Sequence, residues 1–546
     1  MQDSAPDWQA MEMWGGVECT VNRVGDRWFD QSARTGHMLR LDDLDRFADL
    51  GLTALRFPVL WDHTQPDRYG ELDWRWADCA LSRLRERGVR PIIGLLHHGF
   101  GPRWVDARDP DFAVQFARYA RRVAERYPWI DAYTPVNEPL TTARFSGLYG
   151  HWYPHARDDR SFAALLLAQL DATRLALREI RSVNSSAQLV QTEDLGKVTS
   201  TPALERQRDF ENERRWLTWD IQGGVVTRDH ACWDYLREAC PDLERVLEPF
   251  ADGNSAPQLI GVNHYVTSER YLDERVDRYS LDEIGGNGRD VYADVAQVQV
   301  PSLARTGIAG LLRESWQRYG RSLAVTECHI GCTREEQMRW LLEVWQAAVR
   351  ARHDGIDVRA VTTWALLGSY DWNSLVTREA GYYESGAFDV RGPLPRATAL
   401  AGMVRALAQE GTFAHPALAT PGWWRRGDTV PSVNEGAILI LQSEPDAARS
   451  LIVACDARGL AHTSLEHAEL EGESCESIER ILDSRHAWAV IATGECSDAL
   501  VDACARRSVA LARHSAYSQD TNDALDLLLD EAIELTTAHA LSSADR

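Results

Sequence analysis

Short apolar segments alternate along the first part of the chain with longer segments in which apolar residues recur every three or four positions. The short segments predict buried strands and the longer ones predict amphipathic helices, a combination typical of repeated βα units. The predicted strands are residues 14–17, 54–58, 91–96, 132–137, 188–193, 259–263, 322–326 and 360–364. Helices are predicted between them, for example at residues 73–87, 111–126, 161–181 and 334–350. Eight such units predict a closed (β/α)8 TIM barrel with enlarged loops.

Polar and aromatic side chains cluster at the C-terminal ends of the predicted strands. They are Arg56, His97, His98, Asn137, Glu138, Glu193, Asp194, Asn263, His264, Tyr265, Thr326, Glu327 and Trp364. In such a barrel this end carries the chemistry, whereas the opposite end contributes mainly to stability. Ordinary turns would favour Gly, Asp and Ser instead. The enrichment therefore predicts a functional site.

Two of these residues are glutamates on different strands, Glu138 in TPVNEP and Glu327 in AVTECHIG. Cleavage of a glycosidic bond requires such a pair, because one carboxyl protonates the departing oxygen and the other attacks or stabilises the sugar cation. In the predicted barrel, strands four and seven lie nearly opposite each other, so the two side chains converge over the mouth. The alternative is that each glutamate caps the next helix or pairs with an arginine.

The pattern changes after Gly411. Residues 416–436, punctuated by Pro and Gly, are predicted to be a linker, and residues 437–546 a second, small α/β domain. Within it, the segments AILILQ and AWAVIATG predict parallel strands. Helices are predicted at residues 446–458, 474–483, 497–510 and 520–537.

Composition and charge narrow the classes of partner. The chain has 546 residues, with 59 basic and 82 acidic side chains and a formal net charge of −23. Repulsion between like charges argues against nucleic acid and anionic membranes as partners, so neutral, polar ligands are expected. With 44% hydrophobic residues the chain can bury a large core, which excludes a disordered or small disulfide-stapled protein.

Other compositional features bear on location and cofactors. Residues 1–10 lack the basic and apolar regions of a secretory signal, and the sequence contains no run of 18 apolar residues, so a cytoplasmic protein is expected. Ten irregularly spaced cysteines form no paired CxxC motif, and we expect no disulfide framework, no metal site and no cofactor. Twenty tryptophans and sixteen tyrosines offer flat faces suited to stacking on sugars.

Seven motifs then occur in a recognisable order along the predicted barrel: WGG, LRFPVLW, LLHHGFGPRW, TPVNEPL, GVNHYVTSERY, AVTECHIG and TTWALLGSYDW. Residues 1–415 thereby resemble glycoside hydrolase family 1, the family of β-glucosidases and β-galactosidases. The resemblance implies that Glu138 is the general acid/base and Glu327 the nucleophile of a retaining, double-displacement reaction. Arg56 and Tyr265 are then placed to stabilise the charge of Glu327.

The same resemblance implies a set of sugar-binding residues. Asn137 would bind the 2-hydroxyl. The whole set is Asn22, His98, Asn137, Asn263, Trp364, Asp371 and Trp372. For the histidine and the tryptophans, ordinary core packing is the alternative.

The sequence also departs from the family pattern. Asn22 stands where the family usually has Gln, and Asp371 where it has Glu, each shorter by one methylene. Gly99 replaces a common aromatic residue, and TENG becomes TECH. These changes are expected to enlarge or re-polarise the sugar pocket. Three ionisable residues near the mouth would recognise a charged sugar or form local ion pairs: Glu18, Arg23 and His264.

Residues 437–494 resemble the opening of the dTDP-4-dehydrorhamnose reductase family, a Rossmann-like fold, through ILIL, ACDARGLAHTSLEHAEL and CESIERILDSRHAWAVIATG. A dinucleotide site needs a glycine-rich turn after the first strand, but the turn here is QSEPDAA. The family's Tyr-x-x-x-Lys pair is also missing. We therefore expect a shortened domain that binds no cofactor and packs on the barrel or mediates assembly.

Three functional hypotheses remain. The leading one is a retaining glycosidase acting on a small-molecule or oligosaccharide β-glycoside, with possible transfer to an acceptor other than water. The second is a catalytically impaired carbohydrate-binding or structural protein, and the third a sugar-nucleotide reductase. The intact glutamate pair favours the first. Assembly into a homo-oligomer stays open as an alternative.

Overall fold

The computed structural model describes residues 11–300, 303–426, 436–515 and 520–544, with side chains described through residue 538. Two compact units divide these residues. The first comprises the described residues through Cys328 together with Val344–Glu384, and the second comprises His329–Glu343 together with the described residues from Ser385 onward.

Eight strands form a closed parallel barrel in the order β1-β8-β7-β6-β5-β4-β3-β2, with β2 pairing back to β1. They are β1 (Glu12–Gly16), β2 (Ala54–Pro58), β3 (Arg90–His97), β4 (Ala132–Asn137), β5 (Gln188–Asp194), β6 (Leu259–Asn263), β7 (Ser322–Cys328) and β8 (Val358–Thr363). Each overlaps its predicted segment, and the bounds of β2, β4 and β6 agree to the residue. The predicted fold class is confirmed.

Helices occupy the connections between the strands. The longer ones are α1 (Arg75–Glu86), α2 (Phe112–Arg126), α3 (Asp159–Val183), α4 (Gly307–Tyr319) and α5 (Arg334–His353). Shorter helices include Asp43–Ala48, Pro139–Ala143, Glu205–Arg214, Leu217–Gln222 and Trp233–Ala239. Residues three or four apart form the buried face of α1, namely Ala77, Ala80, Leu81 and Leu84. This spacing explains why the pattern predicted helices.

One buried side chain from each strand closes the lower part of the barrel. This cluster consists of Trp14, Ala54, Ile92, Ala132, Val190, Leu259, Ala324 and Ala360. Most of these residues lie in the first half of their strands, so the opposite, C-terminal ends are left to polar side chains. Small sheets lie in the loops. The largest has four strands, Val198–Ser200, Arg270–Asp273, Ile284–Gly286 and Val291–Ala296, and two-stranded sheets pair Val21–Val24 with Arg27–Asp30, Ser369–Tyr370 with Tyr383–Glu384, and Phe388–Asp389 with Arg396–Ala397.

The second unit contains a parallel sheet in the order β10-β9-β11-β12. Its strands are β9 (Ala437–Gln442), β10 (His462–Glu466), β11 (Ala487–Ala492) and β12 (Ala510–Arg513). Its helices are α6 (Ala399–Glu410), α7 (Pro445–Arg458), α8 (Cys475–Ser484), α9 (Asp498–Arg507) and α10 (Thr521–Ala544). The sequence predicted only β9 and β11. It missed β10 and extended the helix at 497–510 into β12, because these two strands are short and only partly buried. Residues 427–435 of the predicted linker lie outside the described residues.

Buried ion pairs bind the first turn of α5 to the rest of the second unit. Arg458 at the end of α7 contacts Glu335 at 2.5 Å and Asp526 of α10 at 2.6 Å. Arg334 contacts Asp530 at 3.0 Å in the same way. Because a buried charge without a partner is costly, these arginines and carboxylates depend on one another.

In the part of the chain that the structure describes, we find no helix both long and apolar enough to cross a membrane.

Replacing Arg458 by Ala should destabilise the second unit by about 3–5 kcal/mol, because Glu335 and Asp526 would lose their buried cation. Denaturant unfolding followed by circular dichroism measures the loss. The matched control is Arg507→Ala, which removes an exposed pair with Asp483 and should cost less than about 1 kcal/mol. Equal costs for the two variants would contradict the importance of the buried pair.

Candidate active site

Glu327 lies near the end of β7, where pairing with β6 shifts register between Val325 and Glu327. Irregularities of this kind re-aim side chains. Glu327 is buried, with 2% of its surface exposed. Arg56 of β2 donates from Nη1 to Glu327 Oε1 at 2.7 Å, and the Tyr265 hydroxyl donates to Oε2. Two donors, one of them cationic, therefore stabilise a carboxylate at this position.

Burial and the neighbouring donors act on Glu327 in opposite directions. Loss of hydration on burial raises the pKa of the Glu327 carboxyl. Arg56 and Tyr265 lower this pKa, Glu18 raises it, and the resulting pKa is about 7. Glu327 therefore carries its negative charge above about pH 7.

Glu138 directly follows the last residue of β4 and has a left-handed backbone, with φ = 46°. For a non-glycine residue this conformation carries strain of about 1–3 kcal/mol and persists only where the surroundings enforce it. Asn263 Nδ2 donates to Glu138 Oε1 at 2.5 Å, and His98 Nε2 lies 3.7 Å from Oε2.

The surroundings of Glu138 favour its protonated form. Burial raises the pKa of Glu138 well above its ordinary value, and the negative charges of Glu327, Asp194 and Glu193 raise it further. The two glutamates thus have different environments: a guanidinium is bonded to Glu327, whereas Glu138 accepts a hydrogen bond from the Asn263 amide and is acted on by the charges of three carboxylates. Such a difference assigns the proton to Glu138.

Asn137 and Asn263 connect these groups. Asn137 Oδ1 accepts hydrogen bonds from Arg56 Nη2 at 2.6 Å and from Thr192 Oγ1 at 2.7 Å. Asn263 Oδ1 accepts one from Thr326 Oγ1 at 2.7 Å, which directs its nitrogen toward Glu138. One network therefore brings together the predicted residues Arg56, Asn137, Glu138, Asn263, Tyr265 and Glu327.

His98 lies beside this network with its imidazole neutral. Burial, followed by the charge of Arg56, lowers the pKa of His98 to about 3. Its Nδ1 is 3.1 Å from the hydroxyl of Thr142, and its Nε2 is 3.5 Å from Asn137 Nδ2.

Two predicted sugar-binding residues carry buried polar atoms that have no hydrogen-bond partner among the described residues, Trp372 Nε1 and Asn22 Oδ1. Asn22 Nδ2 donates to the carbonyl of Val376 at 3.3 Å, and the Trp372 ring lies 5.6 Å from that of His98. Because buried polar groups are normally paired, these two atoms are suited to ligand hydroxyls.

Asp371, in contrast, is paired within the protein. Arg34 Nη1 donates to its Oδ2 at 2.5 Å, and the Tyr382 amide donates to its Oδ1 at 2.8 Å. The carboxylate is fully buried, and Arg34, which lies outside the predicted site residues, neutralises it.

Trp364 is likewise enclosed, with 2% of its surface exposed. Its Nε1 donates to Glu18 Oε2 at 3.2 Å, its ring is parallel to that of His97 at 5.5 Å, and the Arg56 guanidinium lies 4.5 Å from the ring centroid. The Trp364 ring therefore packs against the Arg56 guanidinium, and Glu18 holds the Trp364 indole in place.

The remaining departures have separate explanations. A Cβ atom at Gly99 would lie 2.1 Å from the Val21 carbonyl oxygen, so the backbone fills the space that an aromatic residue would need. Arg23 pairs with the exposed Asp26, and His264 Nδ1 lies 2.9 Å from the Leu195 carbonyl. Two of these three ionisable residues contact residues of the predicted site: Glu18 binds the Trp364 indole, and the His264 amide donates to the Glu327 carbonyl at 3.2 Å.

No group of three or more His, Cys, Asp or Glu residues is arranged to hold a metal ion within the described ranges. In the second unit, the turn after β9 is closed by Thr493, whose Oγ1 accepts hydrogen bonds from the amides of Ser443 at 2.8 Å and Glu444 at 2.9 Å. These are the amides that would face a phosphate in a dinucleotide site.

The family model for glycosyl hydrolase family 1 matches residues 21–384. This chain belongs to that family. Like other members of glycosyl hydrolase family 1 it is a glycoside hydrolase. It is 22% identical to beta-glucosidase 47 of Arabidopsis thaliana over 422 residues, which are 70% of this chain and 76% of that protein.

Two further similarities support the membership of this chain in family 1. It is 22% identical to a 6-phospho-beta-glucosidase of Dickeya chrysanthemi over 402 residues, 66% of this chain and 81% of that one. A solved structure of a family 1 β-glucosidase from Thermotoga maritima matches with a TM-score of 0.60 and 16% identity, covering 74% of this chain and 98% of that chain. The structural match confirms the barrel fold.

Replacing Tyr265 by Phe should move the titration of the Glu327 carboxyl to higher pH, because the lost hydroxyl stabilises the ionised form. Carbon-13 NMR of labelled glutamate carboxyls, with Glu327→Gln to assign the signal, measures this. Tyr279→Phe is the matched control, since Tyr279 bonds Asp273 in a loop sheet. A Glu327 titration that is the same in Tyr265→Phe as in the unmodified protein would contradict the stabilising role of the Tyr265 hydroxyl.

Proposed function

We propose that this protein is a retaining glycosidase that hydrolyses a β-linked glycoside through a covalent glycosyl-enzyme intermediate. Glu327 is the nucleophile and Glu138 the general acid/base. The observation that carries the proposal is the unequal environment of the two carboxyls. Arg56 and Tyr265 donate to Glu327, whereas Glu138 lies among negative charges.

The proposed reaction has two steps. In the first, Glu327 forms a bond to the anomeric carbon while the proton of Glu138 passes to the departing oxygen, releasing the aglycone. In the second, the Glu138 carboxylate takes a proton from water, whose oxygen bonds to the anomeric carbon and frees Glu327. An alcohol in place of that water would give transglycosylation. Once Glu327 is esterified its charge is gone, which lowers the pKa of Glu138 and suits it to act as a base.

We assign binding of the sugar to residues whose polar atoms are available to a ligand. Asn22 and Trp372 offer unpaired groups to ring hydroxyls, Asn137 and His98 line the side of Glu138, and Asn263 orients that glutamate. Trp364 and Asp371 belong to the same proposed set, where they shape the pocket because Glu18 and Arg34 already bind their polar groups. The relatives' β-glucosidase activities support a β-linked glycoside.

The second candidate function is a carbohydrate-binding protein with impaired turnover. The observation favouring it is the low exposure of the glutamates, 4% for Glu138 and 2% for Glu327. A covalent trapping experiment separates the two functions.

For the domain organisation we propose a barrel domain at residues 1–415, a linker at 416–436 and a C-terminal domain at 437–546. The C-terminal domain is a degenerate Rossmann-like relative of sugar-nucleotide reductases. The parallel order β10-β9-β11-β12 supports the relationship. The bonds of Thr493 to the turn amides favour a domain without a nucleotide.

Incubation with a 2-deoxy-2-fluoro glycoside bearing a dinitrophenolate leaving group should add one fluoroglycosyl mass to the protein, at Glu327. The fluorine slows both steps, and the good leaving group keeps the first fast enough for the ester to accumulate. Intact mass and peptide mapping locate the label. Glu327→Gln is the control and should stay unlabelled. If a broad panel of sugars gives no label and no turnover above that of Glu327→Gln, the binding function is favoured.

The rate should fall as pH falls through about 7, because Glu327 becomes protonated and loses its nucleophilicity. Glu18→Gln should move this acid limb of kcat/KM to lower pH, since Glu18 raises the pKa of Glu327. Glu12→Gln is the matched control, because Glu12 accepts a hydrogen bond from Trp14 at the other end of β1 just as Glu18 does from Trp364. An acid limb that is the same in all three proteins would refute the role of Glu18.

A further inference from the structure

Glu193, near the end of β5, has a fully buried carboxyl group with three hydrogen-bond donors. The amide of Leu140 donates to its Oε2 at 2.9 Å, and the amide of Thr141 donates to its Oε1 at 3.0 Å. The Thr218 hydroxyl donates to Oε2 at 2.7 Å. Burying a carboxyl group is unfavourable unless it is hydrogen-bonded, so these donors determine where the group lies.

The two amides belong to the short helix Pro139–Ala143, which begins directly after Glu138. Its first carbonyl, that of Pro139, is also fixed, because Gln169 Nε2 of α3 donates to it at 3.0 Å. The backbone after Glu138 is therefore held from β5 and from α3. This matters because Glu138 itself has the strained left-handed conformation, with φ = 46°.

We infer that Glu193 is a positioning residue for the general acid/base, since its carboxyl fixes the turn that aims the Glu138 side chain. The inference rests on the proposed function of Glu138. It assigns Glu193 no contact with the substrate.

The charges around Glu138 are consistent with this role. Glu327 from β7, Asp194 and Glu193 from β5 all favour the protonated Glu138, and Asn263 from β6 opposes them. Burial raises the pKa of Glu193 to about 7, against the stabilising bonds from Thr218 and the two amides. Above about pH 7 Glu193 is therefore negatively charged, and its charge favours the protonated form of Glu138.

The test uses aryl glycosides of whichever sugar the wild type hydrolyses, because leaving groups differ in their need for a proton. A 2,4-dinitrophenolate leaves without protonation, whereas a 4-methoxyphenolate requires it. Glu193→Gln turns an amide group toward one of the backbone N–H donors and should loosen the turn. We expect kcat/KM to fall tenfold or more for the methoxyphenyl glycoside and less than threefold for the dinitrophenyl glycoside.

Glu138→Gln provides the reference. Its kcat/KM should fall by about 10²–10⁴-fold for the methoxyphenyl glycoside and much less for the dinitrophenyl glycoside. The matched control is Glu269→Gln. Glu269 is also fully buried in the barrel unit and accepts the amides of Thr306 at 2.8 Å and Gly307 at 3.1 Å, but it caps α4. Any loss in this variant should be equal for both substrates.

Melting temperatures show whether each variant is folded. If Glu193→Gln does not fold, Thr218→Val is the substitute, because it removes one donor to Glu193 and keeps the shape of the side chain. Its loss of kcat/KM should be smaller but should again fall mainly on the methoxyphenyl glycoside. Equal losses on both substrates, or no loss, would overturn the positioning role while leaving the proposed function intact. If instead Glu138→Gln shows no selectivity, the proposed function of Glu138 itself is wrong.

Discussion

The arrangement of the site depends on the pairing of Arg56 with Glu327. A carboxylate buried to this degree is costly without a cation, and a buried guanidinium is equally costly without acceptors. Arg56 satisfies both, because it bonds Glu327, the Thr326 carbonyl and Asn137 and so joins strands β2, β4 and β7. The closed barrel makes this possible, since it places the ends of these strands around one opening. Because Asn137 is held in place, the backbone position of the next residue, Glu138, is also fixed.

Sequence alone located the strand ends, and with them the glutamates and their principal partners. Arg56, Asn137 and Tyr265 were predictable because each lies in a motif at a strand end, and in a barrel such ends meet. The contacts of Arg34 with Asp371 and of Glu193 with Leu140 were not. They join residues 337 and 53 positions apart, and no local pattern marks the partner. Glu193 stood among the strand-end residues, but its role depends on the path of the following backbone.

The second unit shows where periodicity fails. Strand β9 is a continuous apolar segment and was predicted correctly, whereas β10 has the sequence HTSLE and β12 the sequence ALAR. Strand β10 has a single apolar residue and β12 is only four residues long, so neither can be distinguished from a loop or a helix end. Both are strands because β9 and β11 provide edges to pair with, which is a tertiary effect.

In the proposed reaction the distribution of charge around the sugar explains the unusual residues. Glu327 is bonded to Arg56, and the charge of Glu18 also acts on Glu327, so negative charge remains beside the protonated Glu138 at the anomeric end. The transition state is a sugar cation, and negative charge there stabilises it more than the neutral substrate. At Asp371 the situation is reversed, because Arg34 neutralises the carboxylate. A neutral sugar therefore loses nothing at Asp371 and gains at the anomeric centre only as its positive charge develops.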